Sequence, residues 1–247
     1  MSEIPENPAD GPAFSYIGQE LDHFRLAKNW KDYWFSHIRE YLGRDVLEVG
    51  AGLGNNTEVL FREPGIHLTA LEPDSELVRQ HREVLATFPA AHQERIELLT
   101  GTVADLPAGR QFDSILYIDV LEHIEADAEQ VLAALPHLRP GGRLIVLSPA
   151  FQMLYSPFDK ALGHYRRYTR RTLTGIIPPS LRERKLIYLD CVAFLLSISN
   201  RLLLRQSVPK PAQIQLWDNV FIPISRVLDP AFREVAGRSV LGIWEKS

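Results

Sequence analysis

The chain has 247 residues, 45% hydrophobic and 23% charged, with 15 Gly and 17 Pro. That balance excludes a disordered, collagen-like or disulfide-stapled protein and leaves a globular chain with enough apolar surface to form a core. Its net charge of −4 offers no general positive field for nucleic acid or an anionic membrane. The single cysteine, Cys191, cannot form an internal disulfide and fits a reducing, cytoplasmic setting.

Residues 1–13 are acidic and carry prolines, which reads as a flexible leader without the basic and apolar regions of a secretory signal. From Phe14 to Tyr41 the residues Leu21, Phe24, Leu26, Trp30, Tyr33, Trp34, Phe35 and Ile38 recur at mostly helical spacing. One or two amphipathic helices are expected there, ahead of a sheet. The pattern then changes to short apolar runs alternating with helical segments, the signature of βα units around a parallel sheet. Strands are predicted over 45–49, 67–71, 95–99, 113–117 and 142–147, with helices over 55–61, 75–87 and 126–135. An excursion rich in aromatic and basic residues follows over 148–181. A sixth strand is expected over 184–189 and a mostly helical stretch over 191–228, bounded or interrupted by Pro209, Pro211 and Pro223. Residues 239–245 suit a last strand. The most apolar stretch, 186–204, is broken by Asp190, Asn200 and Arg201, which suits a membrane span poorly. Within it, 191–204 reads as a core helix in preference to an apolar lid.

The chemistry centres on Val46-Leu-Glu48-Val-Gly50-Ala-Gly52-Leu-Gly54-Asn-Asn-Thr57. A buried strand runs into three glycines and then into a helix. Glycine lets the backbone turn sharply and approach a ligand, and a helix start presents free N–H groups. A tight strand–helix turn would account for the same residues. Glu72 follows Gly52 by about twenty residues, the spacing of a ribose-binding acid. Asp74 suits the N-cap of the next helix better than Glu72 does. A nicotinamide dehydrogenase and a methyltransferase both fit this far.

Four elements together resemble the class I S-adenosylmethionine-dependent methyltransferases. They are Glu48-Val-Gly50-Ala-Gly52-Leu-Gly54, Leu71-Glu72-Pro-Asp74, Phe112-Asp113 through Asp119-Val-Leu-Glu122-His123-Ile, and Leu138-Arg-Pro-Gly-Gly142-Arg-Leu. They stand in that family's order and spacing across residues 45–148. Ala27-Lys-Asn-Trp30 and Gly163-His-Tyr-Arg-Arg-Tyr-Thr169 are similar, less strongly, to one of its subgroups. The resemblance implies an α/β, Rossmann-like fold: a seven-stranded, mostly parallel sheet flanked by helices, with an antiparallel last strand. No composition break marks a second domain. Residues 14–247 therefore read as one domain, with an N-terminal helical lid (14–43), a cofactor-binding core (45–148), acceptor-side insertions around the sixth strand (149–230) and a terminal strand (237–247).

The resemblance also implies the cofactor, S-adenosylmethionine, leaving as S-adenosylhomocysteine. Glu48, Gly50, Gly52 and Gly54 would hold it, the first three along its methionine side, with Glu72 on the ribose. Thr102 and Val103 match the adenine-contacting position, with Asp105 as a substitute partner for the adenine amino group or a simple turn residue. Asp119 would sit near the sulfonium and the methionine amine.

Residues 155–171 follow the fifth strand and should overhang the methyl end. Lys160, Arg166, Arg167, Arg170 and Arg171 fall there without an acid after Asp159. Two readings stand: an anion-binding wall that includes Tyr165, Arg166 and Arg167, or a solvated basic helix start at Arg170 and Arg171. His164 is the candidate general base, with loop packing as its alternative. His123 is the rival base, although shaping the turn beneath the methionine moiety is its preferred role. Glu122 and His123 hint at a metal pair, but no further histidine or cysteine cluster in the sequence completes a site, so no metal is expected. Of the aromatics Phe14, Tyr16, Trp30, Tyr33 and Trp34, only Tyr16 and Trp30 are assigned to covering cofactor and acceptor. The expectation is methyl transfer to a small acceptor, anionic if the basic wall serves it, with oxygen preferred over nitrogen. An RNA methyltransferase, a non-catalytic cofactor-binding module and a nicotinamide dehydrogenase are the alternatives.

Overall fold

In a computed structural model of the chain, residues 27–203 and 211–247 are described, without side chains for 200–203. The leader, Phe14, Tyr16, Leu21, Phe24, Leu26 and Pro209 lie outside the described residues.

Seven strands form one sheet: β1 (Asp45–Val49), β2 (His67–Glu72), β3 (Ile96–Thr100), β4 (Phe112–Ile118), β5 (Leu138–Pro149), β6 (Leu181–Leu189) and β7 (Ser239–Lys246). Their order is β3-β2-β1-β4-β5-β7-β6. The first five pair in parallel, and β7 runs antiparallel between β5 and β6. The expected α/β fold with an antiparallel last strand is what the chain forms. All seven expected strands are present, most of them a residue or more longer. β5 starts at Leu138 because Leu138 already pairs with Phe112, across a register shift.

Central strands are apolar on both sides because helices cover both faces. Along β4, Ile115 and Tyr117 enter one core while Leu116 and Ile118 enter the other, as the two-residue period of a strand requires. The first core continues into Val146, Tyr168 and Trp244; the second into Trp34, Ile38, Ile145 and Ile243. Helix α1 (Lys28–Ile38) covers the second, burying Trp30, Tyr33, Trp34, Phe35 and Ile38. Helix α2 (Ser75–Leu85) starts at Asp74, whose carboxylate accepts the N–H groups of Glu76 and Leu77.

Two expectations change. The helix predicted over 55–61 is a single turn, Thr57–Leu60, because the glycine loop extends further and Asn56 turns its side chain back to Glu48. The segment read as a core helix is a surface helix, Cys191–Leu203, that buries Cys191 and Ala193 but leaves Leu195 61% and Leu196 43% exposed. The apolar run has helical length, but among the described residues no second layer of chain covers its outer face. Helical residues resume at Pro211, and among the described residues no helix is long and apolar enough to cross a membrane.

Candidate cofactor and acceptor site

The strand order reverses at β1: β2 and β3 extend to one side, β4 and β5 to the other. Loops leaving β1 and β4 therefore part, and a crevice opens beyond their carboxyl ends, the place where such sheets bind ligands. Its volume is about 790 Å³, within the range that holds a small molecule.

The loop after β1 sets its floor. Gly50 has φ +70°, and a Cβ there would lie 2.7 Å from Val120 Cγ2. Gly52 has φ +53°, and its missing side chain would point into open space, so a ligand can rest on bare backbone. Gly54 does not line the crevice and instead packs against His81. Glu72, at the tip of β2, accepts the N–H of Gly52 on Oε2 at 2.9 Å and that of Asp74 on Oε1 at 3.0 Å. Burial raises its carboxyl above the ordinary value, and those two bonds oppose the rise. Each oxygen keeps a lone pair, so the pair of them fits a vicinal diol.

Other expected cofactor residues sort into those that reach the crevice and those behind it. Thr102 and Asp119 line it. Val103 does not; its side chain is 1% exposed in the core. Asp105 accepts the N–H and the hydroxyl of Thr102, both at 2.8 Å, which is the turn role. Glu48 also fails to reach the crevice. It is buried beneath the loop, one oxygen accepting Asn56 Nδ2 at 2.9 Å and the other without a partner among the described residues, and burial pushes its carboxyl up to about 7. Asp119 has φ +54°; desolvation raises its carboxyl to about 6, while His164 and Arg238 oppose the rise.

The acceptor end is built by docking the loop after β5 onto the turn after β4. Tyr165 donates its N–H to the Glu122 carbonyl at 2.7 Å, and the Tyr168 hydroxyl reaches Asp127 Oδ2 at 2.6 Å. His164 thereby meets His123, ring centroids 4.5 Å apart and nearly perpendicular. His164 Nδ1 lies 3.1 Å from Asp159 Oδ1. Burial works against ionised Asp159, but bonds from His164, Arg167 and Ser156 hold its carboxyl well below the usual range. Burial and the neighbouring His164 lower His123 to about 4. Glu122 is fully buried, and among the described residues neither carboxylate oxygen has a hydrogen-bond partner of normal geometry. Burial with Asp119 beside it raises its carboxyl far above the ordinary value, and the nearby Ser148 hydroxyl and Arg167 offset only part of the rise. A metal pair was excluded in the sequence for want of a third ligand. That ground fails: His164 brings one within reach of Glu122 and His123.

The expected basic wall is also corrected. Tyr165 is half exposed and does not line the crevice. Arg166 is held by Asp127 Oδ2 at 2.7 Å and the Glu125 carbonyl at 2.8 Å, so it fastens the loop. Arg167 does line the crevice, but its guanidinium forks onto Asp159 at 2.7 and 3.0 Å. A different cation faces the crevice: Arg238, from the segment before β7. Among the described residues no hydrogen bond occupies its side chain, which lies over the Trp217 ring within the field of Asp190, Asp159 and Asp119. Trp30 and Trp34 both line the crevice, whereas Tyr33 packs and bonds Asp229. Arg238 carries no motif and could not be singled out from the sequence. Asp159 carried one signal, the Ser156-Pro-Phe-Asp159 helix start.

Residues 47–144 match a family described as "Methyltransferase domain". That match agrees with the resemblance to the class I S-adenosylmethionine-dependent methyltransferases. The chain is 36% identical over 104 residues to a ubiquinone biosynthesis O-methyltransferase of Xylella fastidiosa, covering 42% of this chain and 41% of that protein. It is 24% identical over 122 residues to a tRNA U34 carboxymethyltransferase of Idiomarina loihiensis, covering 47% and 38%. The chain thus spans about two fifths of the length of these curated relatives. Among solved structures, geranyl diphosphate C-methyltransferase from Streptomyces coelicolor, determined with S-adenosyl-L-homocysteine, superposes with a TM-score of 0.62 at 10% identity, covering 87% of this chain and 76% of that one. The methyltransferase domain removes the nicotinamide dehydrogenase alternative. Its cofactor is S-adenosylmethionine, and the open floor over Gly52 with the Glu72 carboxylate at its edge fits that molecule's ribose.

Proposed function

We propose that the chain transfers a methyl group from S-adenosylmethionine to an oxygen of a small acceptor that presents an anionic or oxygen-rich group to Arg238. The observation that carries the reading is Glu72. Its two oxygens are anchored by Gly52 and Asp74 beside backbone that has no side chain to fill the space above it.

When bound, the cofactor supplies a methyl group activated by a cationic sulfur. The protein's task is then alignment in a site from which water is largely excluded. Trp30 and Trp34 supply apolar wall, Asp119 supplies negative charge at the tip of β4, and Arg238 anchors the acceptor. An attacking hydroxyl must lose its proton. When the protein's own groups act alone, His164 takes it: it lines the crevice, and ionised Asp159 holds the ring through Nδ1, which leaves Nε2 to accept the proton. Oxygen is preferred over nitrogen because a hydroxyl needs that assistance more than an amine does.

The test is calorimetry of the intact chain with S-adenosylhomocysteine, followed by mass-spectrometric screening for products one methyl heavier. Micromolar binding that Glu72→Ala weakens roughly 100-fold is expected. No binding to the parent chain would end the reading.

The tRNA-modifying relatives favour a second reading, an RNA acceptor. Against it, Arg166 and Arg167 are neutralised by Asp127 and Asp159, which removes them from any basic track. A polynucleotide would give steeply salt-dependent binding, and a flat salt titration of acceptor binding would exclude it. A non-catalytic module would retain the cofactor while no acceptor in the screen gained a methyl group.

A further inference from the structure

We propose that Glu122, His123 and His164 form a binding site for one first-row divalent transition-metal ion at the acceptor end of the crevice. The inference rests on the reading above for the role of the ion, but the site itself stands on three observations.

The first is convergence. One ligand atom from each of the three residues lies within 4.8 Å of the others. Donors on a single ion stand about 3 to 3.5 Å apart, so modest side-chain rotation closes the set. The residues come from two segments some forty positions apart, joined by the Tyr165 to Glu122 backbone bond.

The second is orientation. His164 engages Asp159 through Nδ1, which leaves Nε2 as the donor atom. His123 engages the Leu162 backbone. Metal-binding histidines are held this way, one ring nitrogen fixed by a carboxylate or a backbone carbonyl while the other meets the ion. Asp159 is itself fixed by Ser156 and by the forked bond of Arg167, so the support for His164 extends one layer further.

The third is Glu122. Its side chain is fully buried, and among the described residues neither oxygen has a hydrogen-bond partner of normal geometry. The Ser148 hydroxyl and the residue's own N–H approach the carboxyl but without normal hydrogen-bond geometry, a shortfall that protonation does not of itself remove. A cation in the histidine pair does resolve it.

Two imidazoles and one carboxylate suit zinc, iron(II), cobalt(II) or manganese(II) better than magnesium or calcium. Three protein donors leave coordination positions open, and the crevice is where they open. An acceptor hydroxyl bound there loses its proton to water at neutral pH, because the ion stabilises the oxyanion. The oxygen then forms the new bond to the methyl carbon while the carbon–sulfur bond breaks, and its electron pair stays on sulfur to give a neutral thioether. With the metal bound, His164 is a ligand, and the ion replaces it as the source of the nucleophile. The product ether has lost the anionic oxygen and leaves the ion more readily.

The test uses the full chain, stripped with a chelator, dialysed and titrated with cobalt(II) alone. Visible absorption and calorimetry follow the metal, and S-adenosylhomocysteine calorimetry runs in parallel. One equivalent of cobalt with ligand-field absorption bands is expected. His123→Ala and Glu122→Gln should each weaken it at least about 100-fold, with retained S-adenosylhomocysteine binding reporting that each variant is folded. Glu122→Gln keeps the shape of the buried side chain, so it serves if the alanine variant does not fold. No saturable cobalt binding by the parent overturns the metal site and leaves His164 as the base. Cobalt binding unchanged in Glu122→Gln and in a folded His123→Ala overturns it equally. The two titrations decide different things: failure to bind S-adenosylhomocysteine sinks the cofactor reading, while the cobalt result still decides the metal.

Discussion

Tyr33 donates its hydroxyl to Asp229 Oδ2 at 2.7 Å, joining the first described helix to the helix Ile222–Ala231, 196 residues later. Asp229 is fully buried and also accepts the N–H groups of Asp190 and Cys191, at 2.6 and 2.9 Å. One carboxylate thus ties the helix that covers β1 to the strand end where Asp190 reaches the crevice. Asp229→Ala leaves three buried donors unpartnered and is expected to cost about 3 kcal/mol; Tyr33→Phe removes one bond and should cost about 1 kcal/mol. Urea denaturation of both variants checks the ratio.

Glu72 makes a second prediction. Glu72→Ala removes the acceptor of two backbone N–H groups and, on the proposed reading, of the cofactor's diol. S-adenosylhomocysteine affinity should fall roughly 100-fold, the worth of one or two charge-assisted bonds. Glu72→Gln should fall less, because the amide oxygen still accepts one of them. Calorimetry on the two variants distinguishes the losses, and equal affinity in all three chains would contradict the assignment.

Glu48 predicts a pH dependence. Burial raises its carboxyl to about 7, against 4.5 in the unfolded chain. Between those values the folded chain holds a proton that the unfolded chain has released, so stability falls as pH rises from 4.5 to about 7, by on the order of 3 kcal/mol. His37, His81 and His123, lowered by burial to about 4, act oppositely: their contribution is lost as pH falls from 6.5 toward 4. The readout is therefore the difference between Glu48→Gln and the parent. It should shift in the variant's favour across that window in denaturation curves taken at successive pH values.

Gly52 and Gly54 sit two residues apart with φ of +53° and +79°, yet only one faces open space. Gly52→Ala should cost about 1 kcal/mol of backbone strain and weaken cofactor binding strongly. Gly54→Ala adds a methyl group against the His81 ring and should cost about 2 to 4 kcal/mol of stability, with cofactor affinity in the folded fraction much less changed. Melting temperature and S-adenosylhomocysteine titration, measured on both, separate the two roles.

The local order of the chain was legible because it is written in short periods. Alternating runs such as 45–49 and 113–117 can bury themselves only as central strands. The glycines after β1 mark a place where the backbone takes three left-handed residues in quick succession. Asp74 was readable as a cap because capping needs only neighbours within three positions. The same locality limits what could be read. Glu48 and Val103 stand beside cofactor positions in sequence, but both side chains are buried, Glu48 within β1 and Val103 in the helical turn that follows β3.

The acceptor end was not legible in that way. Arg166 and Arg167 looked like free charge because Asp127 lies 39 positions away and the capping acid Asp159 had no visible reason to turn toward them. Arg238 faces the crevice because β7 inserts between β5 and β6 and carries the preceding residues back across the sheet. Sequence alone determined the strands of the sheet, whose short periods are local, and through its motifs the resemblance that implied the class of cofactor. Tertiary structure decided which charges are paired and that His164 meets Glu122 and His123. Pairing across long loops depends on where the sheet returns the chain, and no local pattern encodes that return.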